Sequence, residues 1–465
     1  MLLQITYQDK ATQTDIIEED TLEKIFNTLT TLSMKVDSMG NEIEKLKTNE
    51  VKLKSIATNQ LTQQCAELCR SEDIKIPEIE GDVGTLHKTY NIYQSTSAAY
   101  NVVSFGARGD GWTDSTSAFL RAWSAACRST SQPNVYVPRG TYLVRTLNLY
   151  GPCLRRMEFR IDGTLVAPAN YNAIGNSEFW IMFYKVSGLS VYGGTINAKG
   201  HGYWSCRKGG KSCPQGARSI QFMWCNNVLL KGLTSLHSQR VHVGIGYSSN
   251  VRVEKVKITA PSGSPNTDGI HVQNSRGITI YGSIIQTGDD CISIGPGSMN
   301  MWIEQIGCGP GHGISIGSLG SSNNEAGVAN ITVTNSVFTK TQNGVRIKSW
   351  ARPSGGYARN LMFTNLIMRN VGYPILIDQN YCPHNNCPRQ NSGVKVSQVT
   401  YKNVKGTSST QQAIKFDCSY SNPCTGIRLQ DIKLTHNDRF RRPAVSYCRN
   451  ARGRRGGTVI PRSCF

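Results

Sequence analysis

The chain has no stretch of roughly 18 or more apolar residues, which excludes an ordinary membrane-spanning helix. The thirteen cysteines after residue 100 are spread out and show no zinc-finger pair spacing, so a structural metal site is not expected. The opening Met1-Leu2-Leu3-Gln4-Ile5-Thr6-Tyr7 lacks a basic stretch, a continuous apolar core and a small-residue cleavage site. No signal peptide is expected there. Acidic residues are scarce in the body: the first 90 residues carry 16 of the 31 Asp and Glu but only 10 of the 51 Lys and Arg. A body left that basic attracts polyanions. Nucleic acid, an anionic membrane and an acidic polysaccharide all qualify on charge.

What is present is a globular, turn-rich composition, 38% hydrophobic with 45 glycines. The cysteine usage suits an oxidising compartment, and the odd number in the body leaves at least one thiol unpaired. Asn330-Ile331-Thr332 is the single glycosylation sequon.

Two unlike segments follow one another. From Leu22 to Leu53, apolar residues recur at alternating intervals of three and four (Leu22, Ile25, Leu29, Leu32, Val36, Met39, Ile43, Leu46). That stripe predicts an α-helical coiled coil and self-association through residues 22–53, with a lone amphipathic helix as the alternative. Residues 57–95 are polar and read as a linker. The division is therefore an extension, 1–95, and a body, 96–465.

The body consists of short β-branched runs: Val228-Leu229-Leu230, Val251-Arg252-Val253, Ile278-Thr279-Ile280, Trp302-Ile303, Ile331-Thr332-Val333 and Leu361-Met362-Phe363. Gly, Asn, Asp and Ser divide them. Even spacing without intervening helices predicts a stacked all-β solenoid over a β-sandwich, with recurring asparagines laddered along the stack. One helix is expected after Asp114-Ser115-Thr116, with Ala118, Phe119, Ala122 and Trp123 on one face, placed to cover an end of the stack. The preceding Arg108-Gly109-Asp110 reads as turn chemistry.

Four strings carry candidate chemistry: Asn266-Thr267-Asp268-Gly269, Gly288-Asp289-Asp290-Cys291, Cys308-Gly309-Pro310-Gly311-His312-Gly313 and Arg346-Ile347-Lys348. Singly, each is an ordinary turn, glycine loop or strand face. The glycines around His312 also suit a backbone that approaches a ligand. Spacing changes the weighing. Asp268 and Asp290 are 22 residues apart, as are Asp290 and His312. Rungs of that length stack them about 4.8 Å apart. Arg346 follows after one more rung and an insertion near Ser321–Ala326. Three carboxyls, an imidazole and two cations then share one cleft. That inventory suits hydrolysis of an acidic glycoside: a protonated carboxyl serves the leaving oxygen, an ionised one activates water, and Arg346 and Lys348 hold the sugar's carboxylate.

In order and spacing, these strings resemble those of the polygalacturonases of glycoside hydrolase family 28, and the lead-in Phe105–Asp114 and the Ala118–Trp123 helix look like the plant members. The resemblance covers residues 98–465. It implies a right-handed parallel β-helix, pectin-lyase-like, and inverting hydrolysis of α-1,4-linked galacturonate in pectin, with no cofactor and no metal. It implies Asp289 as general acid, Asp268 and Asp290 as activators of water, and His312 holding or tuning the acid. Arg346, Lys348, Asn266 and Tyr381 are implied as substrate-side residues. It also suggests disulfides Cys291–Cys308, Cys382–Cys387 and Cys418–Cys424. Rung stacking alone places the carboxyls closer than the roughly 6.5–9.5 Å of inverting sites, so inversion comes from the resemblance. The family is secreted to the cell wall, and the partner expected is pectin, not nucleic acid. A calcium-dependent pectate lyase, a rhamnogalacturonan hydrolase and a non-catalytic pectin-binding protein are the competing readings.

Overall fold

Short apolar runs separated by Asn and Gly bury themselves by stacking each run on the next. In the computed structural model, Val228, Val251, Ile278, Met301, Ile331, Leu361, Val399 and Ile427 form one column, each in parallel register with its neighbour. None is more than 3% exposed. Each such side chain contributes about 1.5–3 kcal/mol by leaving water. The described residues are 98–210, 212–383, 386–387 and 390–465. The expected coiled coil at 22–53, its self-association, the 57–95 linker and the chain start lie outside them.

The asparagine ladders are present. Asn330 donates to Asn300 at 2.9 Å and Asn360 to Asn330 at 3.1 Å. A second ladder runs from Asn403 to Asn365 at 2.8 Å and on to Asn335 at 3.0 Å. All five residues named in φ terms (Asn330, Asn335, Asn360, Asn365, Asn403) hold φ between 50° and 58°. Asn tolerates this left-handed bend better than most side chains, and here its amide is also satisfied by the rung above or below.

Among the described residues the strands form a parallel solenoid of two sheet systems, one of 21 strands and one of 11. The 11-stranded sheet positions the site. Its seven middle strands are β1 (Arg218–Met223), β2 (Val243–Gly246), β3 (Ile270–Gln273), β4 (Ile292–Ile294), β5 (Ile314–Leu319), β6 (Asn343–Trp350) and β7 (Tyr373–Tyr381), each paired in parallel with the next. Strands of the other system intervene in sequence between successive members, which is the topology of a solenoid.

Helix α1 (Thr116–Cys127) packs its buried Ala118, Phe119, Ala122 and Trp123 on the first rungs. Asp114 caps it: its Oδ1 accepts from the Thr116 N–H at 2.9 Å, while Ser115 makes no side-chain cap bond. Asp110 of the Arg-Gly-Asp triplet accepts from the Trp112 and Thr113 amides at 2.9 Å, a turn. Cysteines 291 and 308, 382 and 387, and 418 and 424 are bonded, together with 127 and 153, 206 and 213, and 448 and 464. Cys225 is free and buried, and burial pushes its thiol up to about 11, which leaves it inert. Among the described residues no helix is long and apolar enough to cross a membrane.

Candidate active site

Strands β3, β4 and β5 are in register through Ile270, Ile292 and Ile314. Two residues earlier stand Asp268, Asp290 and His312, at equivalent places on three successive rungs. Backbone bonds carry the register across: Gly269 N–H donates to Asp290 O at 2.9 Å and Cys291 N–H to Gly313 O at 2.7 Å. The Cys291–Cys308 disulfide ties the loop from the second motif to the third and closes 17 residues, a constraint worth about 3 kcal/mol.

The glycines flanking His312 have a different use from approach to a ligand. A Cβ on Gly311 would lie 2.6 Å from Asp289 O, and one on Gly313 2.2 Å from Asn343 O. Their positive φ, 145° and 92°, and their missing side chains let neighbouring rungs close up around the histidine. His312 N–H donates to Asp289 O at 2.8 Å, and its Nδ1 lies 3.0 Å from Asp289 Oδ1. His312 thus fixes Asp289 twice, through its backbone N–H and through its imidazole.

Arg346 does not stack above His312. The longer rung, 31 residues, sets it over Ser315, in the column that continues through Ser293 to His271. From there Arg346 Nη2 reaches Asp290 Oδ1 at 2.9 Å, and Lys348 Nζ reaches Oδ2 at 2.9 Å. Ser315 donates to Asp290 Oδ1 at 2.7 Å and accepts from Arg346 Nε at 3.0 Å. Both cations therefore neutralise a carboxylate of the protein itself. Tyr381 stands over them, its ring centroid 5.9 Å from the Arg346 guanidinium and 5.3 Å from Lys348 Nζ.

These contacts divide the carboxyls. Asp290 is 1% exposed, and burial alone would raise its pKa. Lys348 and Arg346 outweigh that and hold it down to about 2. Asp268 moves the other way: burial, then the charges of Asp289 and Asp290, push it up to about 7. It keeps part of its surface on the groove, so water moderates the rise. Burial pushes the neighbouring His271 down to about 4, leaving it a neutral hydrogen-bonding group 2.8 Å from Ser293.

The groove has a volume of about 530 Å³ and is lined by Asn266, Asp268, Asp289, Asp290, Lys348 and Tyr381 among others. Arg346 and Tyr381 continue into an adjoining recess of about 230 Å³. The groove also holds Arg218, Arg240, His271, Gln273 and Ser293, which the sequence reading did not single out. His271 was accessible from alternation, standing between the buried Ile270 and Val272 of its strand. Arg218 and Arg240 were hidden because a 27-residue rung interrupts the 22-residue spacing before Asp268. A larger recess of about 800 Å³, lined by Asn330, Met362, Thr400 and Arg428, lies on the other sheet system and holds no carboxylate. Its size does not make it the reacting site.

Asp289, Asp290 and His312 hold ligand-type atoms within 4.8 Å of one another, the one metal-capable group found among the described residues. Both oxygens of Asp290 are already bonded to cations there, so a further cation meets repulsion.

A parallel solenoid with clustered carboxyls, an imidazole and fixed cations in an open groove has the build of a glycosidase for long acidic chains. The family comparisons agree. The model described as "Glycosyl hydrolases family 28" matches residues 127–458, and one described as "Rhamnogalacturonase A/epimerase, pectate lyase-like" matches residues 99–150. The chain is 52% identical over 369 residues to a polygalacturonase of Prunus persica, covering 79% of this chain and 93% of that one. It is 40% identical to an exopolygalacturonase of Platanus acerifolia, covering 79% and 98%. The crystal structure of an exopolygalacturonase from Thermotoga maritima shares the fold, with a TM-score of 0.64 at 20% identity over 76% of this chain and 91% of that one. The chain belongs to glycosyl hydrolase family 28.

Proposed function

We propose that this protein is a glycosidase that hydrolyses α-1,4-galacturonosyl linkages of polygalacturonate and pectin. The observation that carries this reading is the split of the carboxyls, with Asp290 fixed as an anion and Asp268 holding a proton up to about 7. A permanent charge on Asp290 favours a single shared proton between the groove-facing carboxyls, and the reacting form is the one in which Asp268 has given it up and Asp289 carries it.

In the proposed reaction Asp289, oriented by His312, gives its proton to the glycosidic oxygen as the bond to the anomeric carbon breaks. Asp268 and Asp290 polarise a water, which loses a proton to Asp268 and adds to the opposite face with inversion. Asn266 and Tyr381 line the groove where sugar rings would lie. Arg346 and Lys348 act first on Asp290; their remaining donors face a substrate carboxylate. The solenoid is taken as right-handed, the hand of nearly all parallel crossovers. The six disulfides among the described residues suit an oxidising, extracellular setting such as the cell wall. Residues 1–95 are proposed as an extension separate from the hydrolase body at 96–465.

The test is product analysis on de-esterified polygalacturonate over time. New reducing ends without unsaturated uronide, unaffected by chelator, are expected. Unsaturated products lost on chelation would make the protein a lyase.

A further inference from the structure

The two columns that hold the carboxyls carry arginines on the preceding rungs. Through β1, β2 and β3, Ile220 pairs with Val243 and Val243 with Ile270. Two residues earlier, Arg218 falls in the column of Asp268, two rungs away, or about 10 Å along the axis. Arg240 falls in the column of Asp289, one rung before Thr267. Both line the groove with the three aspartates.

Their surroundings differ from those of Arg346 and Lys348. Arg218 leaves 19% of its side chain exposed and rests over the Phe179 ring, 5.7 Å from its centroid. Its Nη1 makes a long 3.4 Å contact to Gln221, and the nearest carboxylate among the described residues, on half-exposed Glu178, is 3.9 Å away. Its Nε is buried with no hydrogen-bond partner. Arg240 lies close enough to repel it and to lower its pKa along with burial. Two guanidiniums are thus held side by side with five N–H donors each and little to receive them. An unpaired buried donor and like-charge repulsion both cost free energy, and an anion between the two relieves both.

We propose that Arg218 and Arg240 form a carboxylate-binding subsite, taking the free carboxylate of a uronic acid residue on the side of the groove toward the start of the chain. This rests on the reading of the groove as the polygalacturonate site. The distance to Asp268 is on the order of one or two sugar residues, so the subsite holds a neighbour of the sugar being cleaved. It selects for charge: a methyl ester presents no anion for the fork geometry of arginine.

Arg218→Gln, Arg240→Gln and Arg240→Lys would be compared with the unmodified chain on de-esterified and highly methyl-esterified substrates. The expected result is a rise of about tenfold or more in KM for polygalacturonate, with kcat nearly unchanged. The esterified substrate should be little affected, and Arg240→Lys should restore part of the loss. Equal losses on both substrates, or no change on either, would overturn the subsite. Retardation of the same variants in gels containing polygalacturonate measures the contribution without turnover. A chain that releases no reducing ends thus fails the functional reading alone, while unchanged retardation of the Gln variants fails the subsite.

Discussion

The two flanks of the carboxyl cluster each carry a pair of cations, yet the pairs do opposite things. On the far side, Arg346 and Lys348 are 7% exposed and spend their charge on Asp290. On the near side, among the described residues, Arg218 and Arg240 have no carboxylate closer than Glu178 at 3.9 Å. The first pair sets the ionisation of a reacting group and has only its remaining donors for substrate, whereas the second is committed to no carboxylate of the described residues. Residue type alone does not assign a role; the partner already in place does.

The largest test of this contrast is Asp290→Asn. It removes the anion on which the far pair depends and leaves two buried cations unpaired, a loss of about 3–5 kcal/mol. Activity on polygalacturonate should fall by about 10²–10⁴-fold. A variant as stable as the parent in thermal melts would show that the far pair is not committed to Asp290.

Arg346→Gln comes next. Asp290 has an unfolded value of 3.8 and a folded value of about 2, so it stabilises the fold above 3.8 and that contribution is lost as pH falls toward 2. Removing one cation raises the folded value and narrows this window. The midpoint of acid unfolding should move to higher pH, and an unmoved midpoint would contradict the ion pair's role.

Asp268→Asn should have the opposite sign. Asp268 ionises at 3.8 unfolded and about 7 folded, so the fold holds its proton more tightly. Its contribution to stability declines as pH rises from 3.8 to about 7 and is flat above. The variant should therefore lose activity but gain melting temperature, with no gain below 3.8 and the full gain above 7. A gain independent of pH would remove the charge argument.

The smallest effect is expected at Arg240→Gln. A cation with no ion pair should change stability by no more than about 0.5 kcal/mol. A larger loss in denaturant titrations would mean that the near pair is structural after all, and would dissolve the contrast.

The sequence made the regular features of this molecule visible and concealed its exceptions. The column from Val228 to Leu361 and the asparagine ladders follow from a repeating need to bury one face and satisfy one bend, so the pattern shows in the residues. The common position of Asp268, Asp290 and His312 was visible because their rungs have equal length. The insertion near Ser321–Ala326 was visible, but the column of Arg346 was not: its rung is 31 residues long, and chain counting cannot tell where a strand resumes. Its bond to Asp290 was not legible either, since a cation near both a substrate anion and a protein anion chooses by geometry. Ser293 and Ser315 carry no distinctive signal in a chain rich in turn serines, although both touch the site.

The most direct test of the account is Asp289→Asn, with reducing-end release from polygalacturonate measured beside retention in polygalacturonate gels. Release should fall by about 10²–10⁴-fold while retention stays close to that of the parent, because Asn keeps the shape and the contact with His312 but has no proton to give. Release at the parent's rate would contradict the assignment of this groove as the place where the glycosidic bond is broken.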